Sequence, residues 1–174
     1  MEFTFETFYN RKMMIAMAKG VRKTLRKKKF IRSRILAILL LIIVAALYVP
    51  KFINDGFYWD FSTIITVAAV ALIIIAILFE DQINGIITNQ RVIPGTRLIK
   101  TTFHENGYHS YTDLGDTEWK YETVQAICES KKYFVFVFSQ MHAQVYDKAG
   151  LAEGNIDEFR EFIKDKINKK IVRI

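Results

Sequence analysis

The residue types best suited to metal or redox chemistry in this sequence are three histidines and one cysteine. His104, His109 and His142 lack the spacing that a zinc site requires, and Cys128 has no second cysteine with which to form a disulfide. A lone cysteine is also typical of a reducing compartment. We therefore expect no metal and no cofactor, and a folded part that lies in the cytoplasm.

Asp113 and Asp116 are the nearest approach to a pair of catalytic carboxylates. They bracket Leu114 and Gly115, and aspartate favours such tight turns because its side chain bonds the nearby backbone. The sequence contains no Ser/His/Asp order, phosphate-binding loop or glycine-rich dinucleotide fingerprint. These observations favour a protein that is not an enzyme.

The strongest chemical signal is a run of cations near the start of the chain. The first 34 residues hold eleven lysines and arginines against Glu2 and Glu6. Beside an anionic leaflet each cation can contribute about 1 kcal/mol of attraction. The run therefore either sets membrane topology alone or also contacts anionic lipid. The candidate lipid-contacting residues are Arg22, Lys23, Arg26, Lys27, Lys28, Lys29, Arg32 and Arg34. We expect no nucleic-acid partner, because a segment tied to a bilayer meets lipid first.

Two apolar stretches follow the basic run. Ile35–Val49 is an unbroken run of 15 apolar residues, and Phe61–Phe79 spans 19 residues interrupted only by one serine and two threonines. A helix of about 20 residues crosses the hydrocarbon core of a bilayer. The rest of the chain is too short to wrap two such helices in a soluble core, so the pattern predicts a membrane hairpin. Neither stretch contains the ionisable groups that an ion or proton relay needs.

The distribution of lysine and arginine predicts the orientation of this hairpin. The connector between the stretches holds Lys51 against Asp55 and Asp60, whereas the preceding segment is strongly basic. Basic segments stay in the cytoplasm, so both termini are expected inside the cell and the connector outside. The aromatic residues expected at the outer interface are Tyr48, Phe57, Tyr58 and Trp59.

The chain thus divides into a basic amphipathic leader (1–34), a two-span hairpin (35–79) and a cytoplasmic domain (80–174). In the leader, alternation of Met1, Phe3 and Phe5 with polar residues predicts a short strand. We expect Glu2 to Glu6 to add an edge strand to the domain. A helical apolar stripe follows, formed by Met14, Met17, Val21 and Leu25, and faces acyl chains or the domain. This helix is expected to continue unbroken into the first span.

The region from Glu80 onward contains 13 basic and 14 acidic residues, and its pattern predicts an antiparallel sheet followed by a helix. Strands are expected near 101–103, 108–111, 117–121, 125–129, 133–139 and, as the last one, 143–146. Residues 133–139 are apolar on both faces, which predicts a central strand covered on both sides. Asn155 caps a terminal helix with a buried stripe of Ile156, Phe159, Ile163 and Ile167, closed by Lys169, Lys170 and Arg173. The fold class is α+β with membrane helices.

Three blocks in this region resemble the YcxB-like family of bacterial membrane proteins. They are Lys131-Lys-Tyr-Phe-Val-Phe-Val-Phe-Ser139, Ala143-Gln-Val-Tyr-Asp-Lys-Ala-Gly-Leu151 and Ile156-Asp-Glu-Phe-Arg-Glu-Phe-Ile163, preceded by Thr117-Glu-Trp-Lys-Tyr-Glu-Thr-Val124. The resemblance implies a membrane hairpin that carries a pleckstrin-homology-like domain closed by a C-terminal helix. It brings no catalytic motif that can be transferred to this sequence.

Two roles are compatible with these features. The first is a non-enzymatic, membrane-anchored adaptor or regulator in the bacterial cell membrane, whose cytoplasmic domain binds a protein partner or a second copy at the inner leaflet. The alternative is a self-protection protein against a toxin or bacteriocin, with the outer connector from Asn54 to Asp60 as its contact.

Overall fold

The structure is a computed structural model that describes residues 2–56 and 58–174. The described chain forms two compact units. The first, here called the α+β unit, comprises the chain up to Arg26 and again from Asp81 onward. The second, the helical unit, comprises Lys27–Glu80. The α+β unit is therefore built from both ends of the chain, with the helical unit inserted between them.

Nine strands and five helices follow one another along the described chain. In order they are β1 (Phe3–Phe8), α1 (Arg11–Lys23), α2 (Lys27–Asp55), α3 (Phe61–Leu78), α4 (Glu80–Gln90), β2 (Leu98–Phe103), β3 (Tyr108–Thr112), β4 (Gly115–Trp119), β5 (Ala126–Glu129), β6 (Tyr133–Val137), β7 (Ala143–Asp147), β8 (Leu151–Glu153), α5 (Ile156–Ile167) and β9 (Ile171–Arg173). Mixed sheets with helices place the protein in the α+β class, as predicted.

The first sheet has five strands in the order β4-β3-β2-β1-β8. Strand β1 pairs antiparallel with β2 along its whole length, from Phe3 opposite Phe103 to Phe8 opposite Leu98. Its other side pairs with β8. The leader strand predicted from alternation is therefore present, but the expected edge position is wrong: β1 is an inner strand, because β8 covers its second edge.

The second sheet has four strands in the order β7-β6-β5-β9. Strand β9 runs parallel to β5, with Ile127 opposite Ile171 and Arg173 opposite Glu129. The sequence placed the last strand at 143–146 and extended the terminal helix over the final lysines, and both expectations are wrong. Helix α5 ends at Ile167 because Asn168 adopts a left-handed conformation (φ 49°), which turns the chain back along β5.

An aromatic core fills the space beneath α5. Phe159 and Ile163 of the predicted helical stripe are fully buried there, together with Phe134 and Phe136 from one face of β6. The rings of Phe5 and Phe159 lie 4.7 Å apart, and those of Phe103 and Phe159 lie 4.9 Å apart, at steep angles. Tilted and edge-on ring contacts of this kind stabilise aromatic clusters beyond the area that they bury. Helix α5 thus holds the leader strand and the second sheet in one core.

A second, aliphatic core lies on the opposite face of β6. Val135 and Val137 pack there with Met13 and Val21 of α1. The prediction that β6 is a central strand covered on both sides is confirmed, and the leader helix supplies the second cover. The leader helix was expected to continue unbroken into the first span, and this expectation is wrong. It ends at Lys23, and residues 24–26 form a turn before α2 begins.

Helix α4 packs against α1 with close backbone contact. A Cβ atom added to Gly85 would lie 2.5 to 2.7 Å from Ile15, including its Cα and backbone nitrogen. Glycine is needed where two backbones approach this closely. The sequence pattern did not indicate a helix over 80–90, because the residues there, Glu-Asp-Gln-Ile-Asn-Gly-Ile-Ile-Thr-Asn-Gln, are mostly polar and include a glycine in mid-helix.

The helical unit contains two helices that are long and apolar enough to cross a membrane, Lys27–Asn54 and Phe61–Leu78. Neither apolar stretch is buried within the protein. Pro50 lies inside α2, and Asp60 caps α3 by accepting a hydrogen bond from the Thr63 backbone at 2.8 Å. The Tyr48 hydroxyl lies 3.0 Å from Ser62 Oγ and accepts a 2.8 Å bond from Thr66, which links the two helices.

Candidate functional site

The cations that the sequence assigned to a membrane surface are divided between the two units. Arg22, Lys23 and Arg26 belong to the α+β unit, and Lys27, Lys28, Lys29, Arg32 and Arg34 lie in the first turns of α2. All of them are exposed except Arg22 and Arg26, which are half-buried. Arg22 donates two 2.6 Å hydrogen bonds to the carboxylate of Asp81. This bidentate pair fastens α1 to α4, a structural role that the sequence alone did not indicate.

The predicted outer aromatic residues lie in or beside the connector between α2 and α3. Tyr58 and Trp59 are largely exposed. Tyr48 lies inside α2 and joins the hydroxyl network with Ser62 and Thr66. Phe57 lies outside the described residues.

The apolar stripe of the leader faces the sheet. Met14 and Val21 are buried in the α+β unit, and Met17 and Leu25 pack against the aliphatic core. Of the two orientations left open by the sequence, the structure therefore places this stripe against the domain.

A groove lined by cations runs between α5, the turn from β5 to β6 and strand β9. Its volume is about 680 Å³. We call it the basic groove. Its lining residues are Glu129, Ser130, Lys131, Lys148, Arg160, Glu161, Lys164, Lys169, Lys170, Ile171, Arg173 and Ile174. Seven of these side chains are lysine or arginine and two are glutamate, so the side chains give an excess of five positive charges. The fold concentrates this charge locally in a region that is nearly neutral as a whole.

The floor of the basic groove is an ordered ion network centred on Glu129. Lys148 Nζ donates to Glu129 Oε1 at 2.5 Å and to the Ser130 carbonyl at 2.9 Å. Arg160 Nη2 donates to Glu129 Oε1 at 2.7 Å, and its Nη1 bonds Asp157. Burial raises the pKa of Glu129, but hydrogen bonds from Arg160 and Lys148 outweigh that effect and hold the pKa below its usual value. The network therefore fixes two cations in the floor.

The rim of the basic groove is made of exposed cations. The side chains of Lys131, Lys170 and Arg173 have no hydrogen-bond or carboxylate partner within residues 2–56 and 58–174. Lys164 forms a 3.4 Å ion pair with Glu161, and Lys169 donates to the Val124 carbonyl at 2.7 Å. Ionic partners at exposed positions contribute little, so the rim can reorganise its hydrogen bonds around an anion. Chemically, the groove is suited to binding negative charge.

No motif in the sequence indicates the basic groove. Its cations come from the β5–β6 turn, the segment after β7, α5 and the chain after α5, which are separated by up to 42 positions. The available signal was the lysine-rich stretch after Ile167, whose pattern was interpreted as the end of a helix. The turn at Asn168 instead directs these residues toward Glu129 and Lys131.

The histidines and the cysteine occupy separate places. His104 and His109 lie with ring centres 5.8 Å apart, and His142 packs on Trp119 and Phe138. In the described part of the chain, no three His, Cys, Asp or Glu residues are grouped as a metal site. Cys128 is buried in the aliphatic core, and burial raises the pKa of its thiol to about 11. A thiol with such a pKa reacts slowly at neutral pH.

The helical unit has its own crevice, of about 820 Å³, between α2 and α3. Its walls are mainly aliphatic, with residues such as Leu41, Val67 and Ile74. Lys51 and Asp60 are the charged residues among its lining. Such a surface suits hydrocarbon better than it suits a polar ligand.

Comparison with known proteins supports the relationship suggested by the sequence blocks. The family model described as YcxB-like protein matches residues 103–163, from the end of β2 through β3–β8 to Ile163 in α5. No curated protein and no solved structure matches the chain. The predicted resemblance is thereby confirmed for residues 103–163, about a third of the chain, which match this family model.

Proposed function

We propose that the chain is a non-enzymatic, membrane-anchored adaptor or regulator. In this proposal α2 and α3 cross the bacterial cell membrane, and the α+β unit lies in the cytoplasm, where it binds a protein partner or a second copy. The two sheets and the closing helix α5 support a pleckstrin-homology-like description of that unit, a fold used widely as a binding scaffold. Anionic lipids of the inner leaflet contact the exposed cations at the start of α2.

The observation that carries the two-crossing topology in this proposal is the pairing of β1 with β2. These strands lie on opposite sides of the helical unit in the sequence, yet all six residues of β1 pair with β2. The chain segments before α2 and after α3 must therefore occupy the same compartment when the unit is folded. Two membrane crossings satisfy this requirement, whereas one crossing does not.

The charge distribution independently favours the cytoplasm as that compartment. Five exposed cations occupy the first turns of α2, and residues 50–60, at the other end of α2 and in the connector, hold one lysine against two aspartates. This asymmetry supports an outer connector and an inner α+β unit. An orientation rule based on charge and a constraint based on strand pairing thus agree.

Cysteine accessibility in intact cells tests the proposed topology. The native thiol of Cys128 is buried with a pKa of about 11, so it provides a weakly reactive background. Asn54→Cys is expected to react with an impermeant maleimide from outside. The matched variant Gln140→Cys, at an exposed position between β6 and β7, is expected to react only after permeabilisation. Labelling of Gln140→Cys in intact cells would overturn the topology.

Complementation of a deletion strain tests the adaptor role. If the α+β unit carries the function, Phe159→Asp is expected to abolish complementation, because it places a charge in the aromatic core. The paired change Tyr58→Ala and Trp59→Ala in the exposed connector is expected to complement fully. The opposite pattern would contradict the adaptor and favour self-protection at the outer surface.

A further inference from the structure

We infer that the basic groove binds a phosphate-bearing anion, in which Lys131, Lys170 and Arg173 contact the phosphate oxygens. This inference goes beyond the adaptor proposal because it names a ligand class and a site. A phosphate monoester carries between one and two negative charges at neutral pH and three strong acceptor oxygens. Such a group matches a concave site in which several donors converge and few acids compete.

The ordered floor of the groove prepares it for an anion. Glu129 holds Lys148 and Arg160 in place, with Glu129 and Lys148 side chains only 13% and 15% exposed. The Glu129 carboxylate therefore orders two cations, and Asp157 holds Arg160 from its other side. Since these side chains are already fixed, ligand binding does not have to order them, and the entropic cost of binding falls.

The rim supplies the donors that are available to a ligand. Lys131 follows β5, whereas Lys170 and Arg173 flank and end β9. They belong to the same groove and lack carboxylate partners in the described part of the chain. Lysine and arginine at separate backbone positions can approach one phosphate from different sides, and charge-assisted bonds to phosphate are among the strongest hydrogen bonds in proteins.

The size and lining of the groove favour a small anion over an acidic polypeptide. A volume of about 680 Å³ lies within the range of small-molecule sites. Ile171 and Ile174 are the apolar residues among its lining. A peptide interface would need apolar anchors in addition to charge. The groove therefore fits a phosphorylated headgroup or a free phosphate ester.

The groove shares Ile174 with the residues that pack against the aliphatic core. Cys128 in β5 donates to the Gly20 carbonyl in α1 at 3.6 Å and pairs with Val172 of β9. Leu25, two residues before α2, and Ile174, which lines the groove, pack against the same aliphatic core. The phosphate can come from a lipid headgroup or from a soluble ester.

Calorimetric titration of the full chain in micelles of a neutral detergent tests the site. Dihexanoyl phosphatidic acid and glycerol 3-phosphate are the lipid and free sources of a phosphate monoester, and dihexanoyl phosphatidylcholine is the zwitterionic control. We expect saturable binding of at least one monoester at about 0.15 M salt, a Debye length near 8 Å, and none of the control. Binding of the lipid alone would identify a headgroup site, and equal binding of both would identify a site for soluble phosphate esters.

A matched pair of triple variants ties the binding to the groove. Lys131→Gln, Lys170→Gln and Arg173→Gln together are expected to weaken binding at least about tenfold, because each removes a charge-assisted bond. Lys12→Gln, Arg91→Gln and Lys120→Gln remove the same charge from exposed positions elsewhere on the unit and are expected to change affinity less than about twofold. Both triples should keep the thermal midpoint of the parent, since the altered side chains are exposed.

Three outcomes would overturn the inference. The first is failure of both monoesters to bind, and the second is an equal loss of affinity in the two triple variants. The third is binding of hexaglutamate as tightly as the monoesters, which would assign the groove to acidic peptides. The lipid arm depends on the proposed membrane anchorage, whereas the glycerol 3-phosphate arm does not. If the labelling experiment contradicts the topology, the groove can still be tested with glycerol 3-phosphate. If neither monoester binds, the proposed topology is unaffected.

Discussion

The α+β unit and the helical unit differ in where their apolar side chains lie: many are buried in the first, and most are exposed in the second. In the α+β unit many large apolar side chains, including Phe3, Phe103 and Phe134, are fully buried. In the helical unit Leu36, Leu47 and Leu72 are each more than 60% exposed, and neither long apolar segment is buried within the protein. One chain thus contains a region organised around a dry core and a region whose apolar surface faces outward.

This contrast indicates that the two regions are adapted to different surroundings. A soluble protein rarely exposes contiguous apolar patches of more than a few hundred Å², because removing apolar surface from water is the main driving force of folding. The residue types differ accordingly. Aromatic side chains with steep ring contacts fill the core under α5, whereas Ile, Leu, Val and Ala cover α2 and α3. Aliphatic side chains around a whole helix are typical of contact with lipid.

The largest expected effect comes from placing an aspartate in each region. Phe159→Asp introduces a charge at a position with 0% exposure and is expected to cost about 4 kcal/mol or more, a large share of a typical domain's stability. Leu72→Asp alters a 67% exposed residue of α3. It is expected to leave the α+β unit folded and to reduce membrane insertion, at about 3 kcal/mol for an acid near the middle of a span.

Thermal unfolding in detergent and carbonate extraction of membranes measure these two effects separately. Phe159→Asp should lose the cooperative transition of the α+β unit and remain in the membrane fraction. Leu72→Asp should keep that transition and appear partly in the extract. The contrast between the regions would fail if both variants lost the same property.

An intermediate effect is expected at the boundary between the regions, where α4 follows α3 directly. Gly85→Ala should raise stability by about 1 kcal/mol if α4 were an isolated helix, because alanine is the better helix former. The contact with the Ile15 backbone predicts the opposite sign, a loss of about 2 kcal/mol, since backbone atoms cannot move aside cheaply.

Chemical unfolding of Gly85→Ala beside Gln82→Ala resolves this question. Gln82 is exposed on the same helix, so its replacement should change stability by less than about 0.5 kcal/mol. A stabilised Gly85→Ala variant would show that α4 does not pack on α1. In that case α4 would be an extension of the helical unit, with Arg22 and Asp81 as an incidental pair.

Local patterns predict the elements of this protein better than they predict its long-range pairing. The apolar run of β6, the stripe of α5 and the two long helices each have a periodicity that the sequence displays directly. Strands β8 and β9 have three residues each, too few for a pattern, and exist because β1 and β5 provide edges for them. The inner position of β1 likewise depends on β8, which lies almost 150 residues away in the sequence.

The candidate site was less predictable than the fold for a related reason. The sequence shows the basic run of 22–34 because its cations lie close together along the chain, whereas the basic groove gathers Lys131, Lys148, Arg160 and Arg173 from separate elements. Their proximity depends on the turn at Asn168 and on the parallel pairing of β9 with β5. A local propensity gives no information about such a parallel pairing, which needs a long crossover through α5.

The smallest expected effect on stability comes from ionisable groups, which the two regions also use differently. The apolar stretches of the helical unit carry no charge, whereas the α+β unit holds Glu129 largely buried between Lys148 and Arg160. Because the pKa of Glu129 is lower in the folded protein than in the unfolded chain, the ion network stabilises the fold above the unfolded pKa of about 4.3. This stabilisation is lost as the pH falls through the folded-state value.

Glu129→Gln therefore has an effect that depends on pH. At pH 7 it is expected to lower the free energy of unfolding by about 1 kcal/mol, a value reduced by the partial exposure of Arg160. Below about pH 4 the difference from the parent should shrink, since protonation of Glu129 has the same electrostatic consequence. Urea unfolding at pH 7 and pH 3.5 measures both values.

Glu161→Gln, which alters an exposed acid of the same groove, is the control and should match the parent at both pH values. An equal loss at both pH values for Glu129→Gln would assign the effect to packing and remove the electrostatic contrast between the two regions.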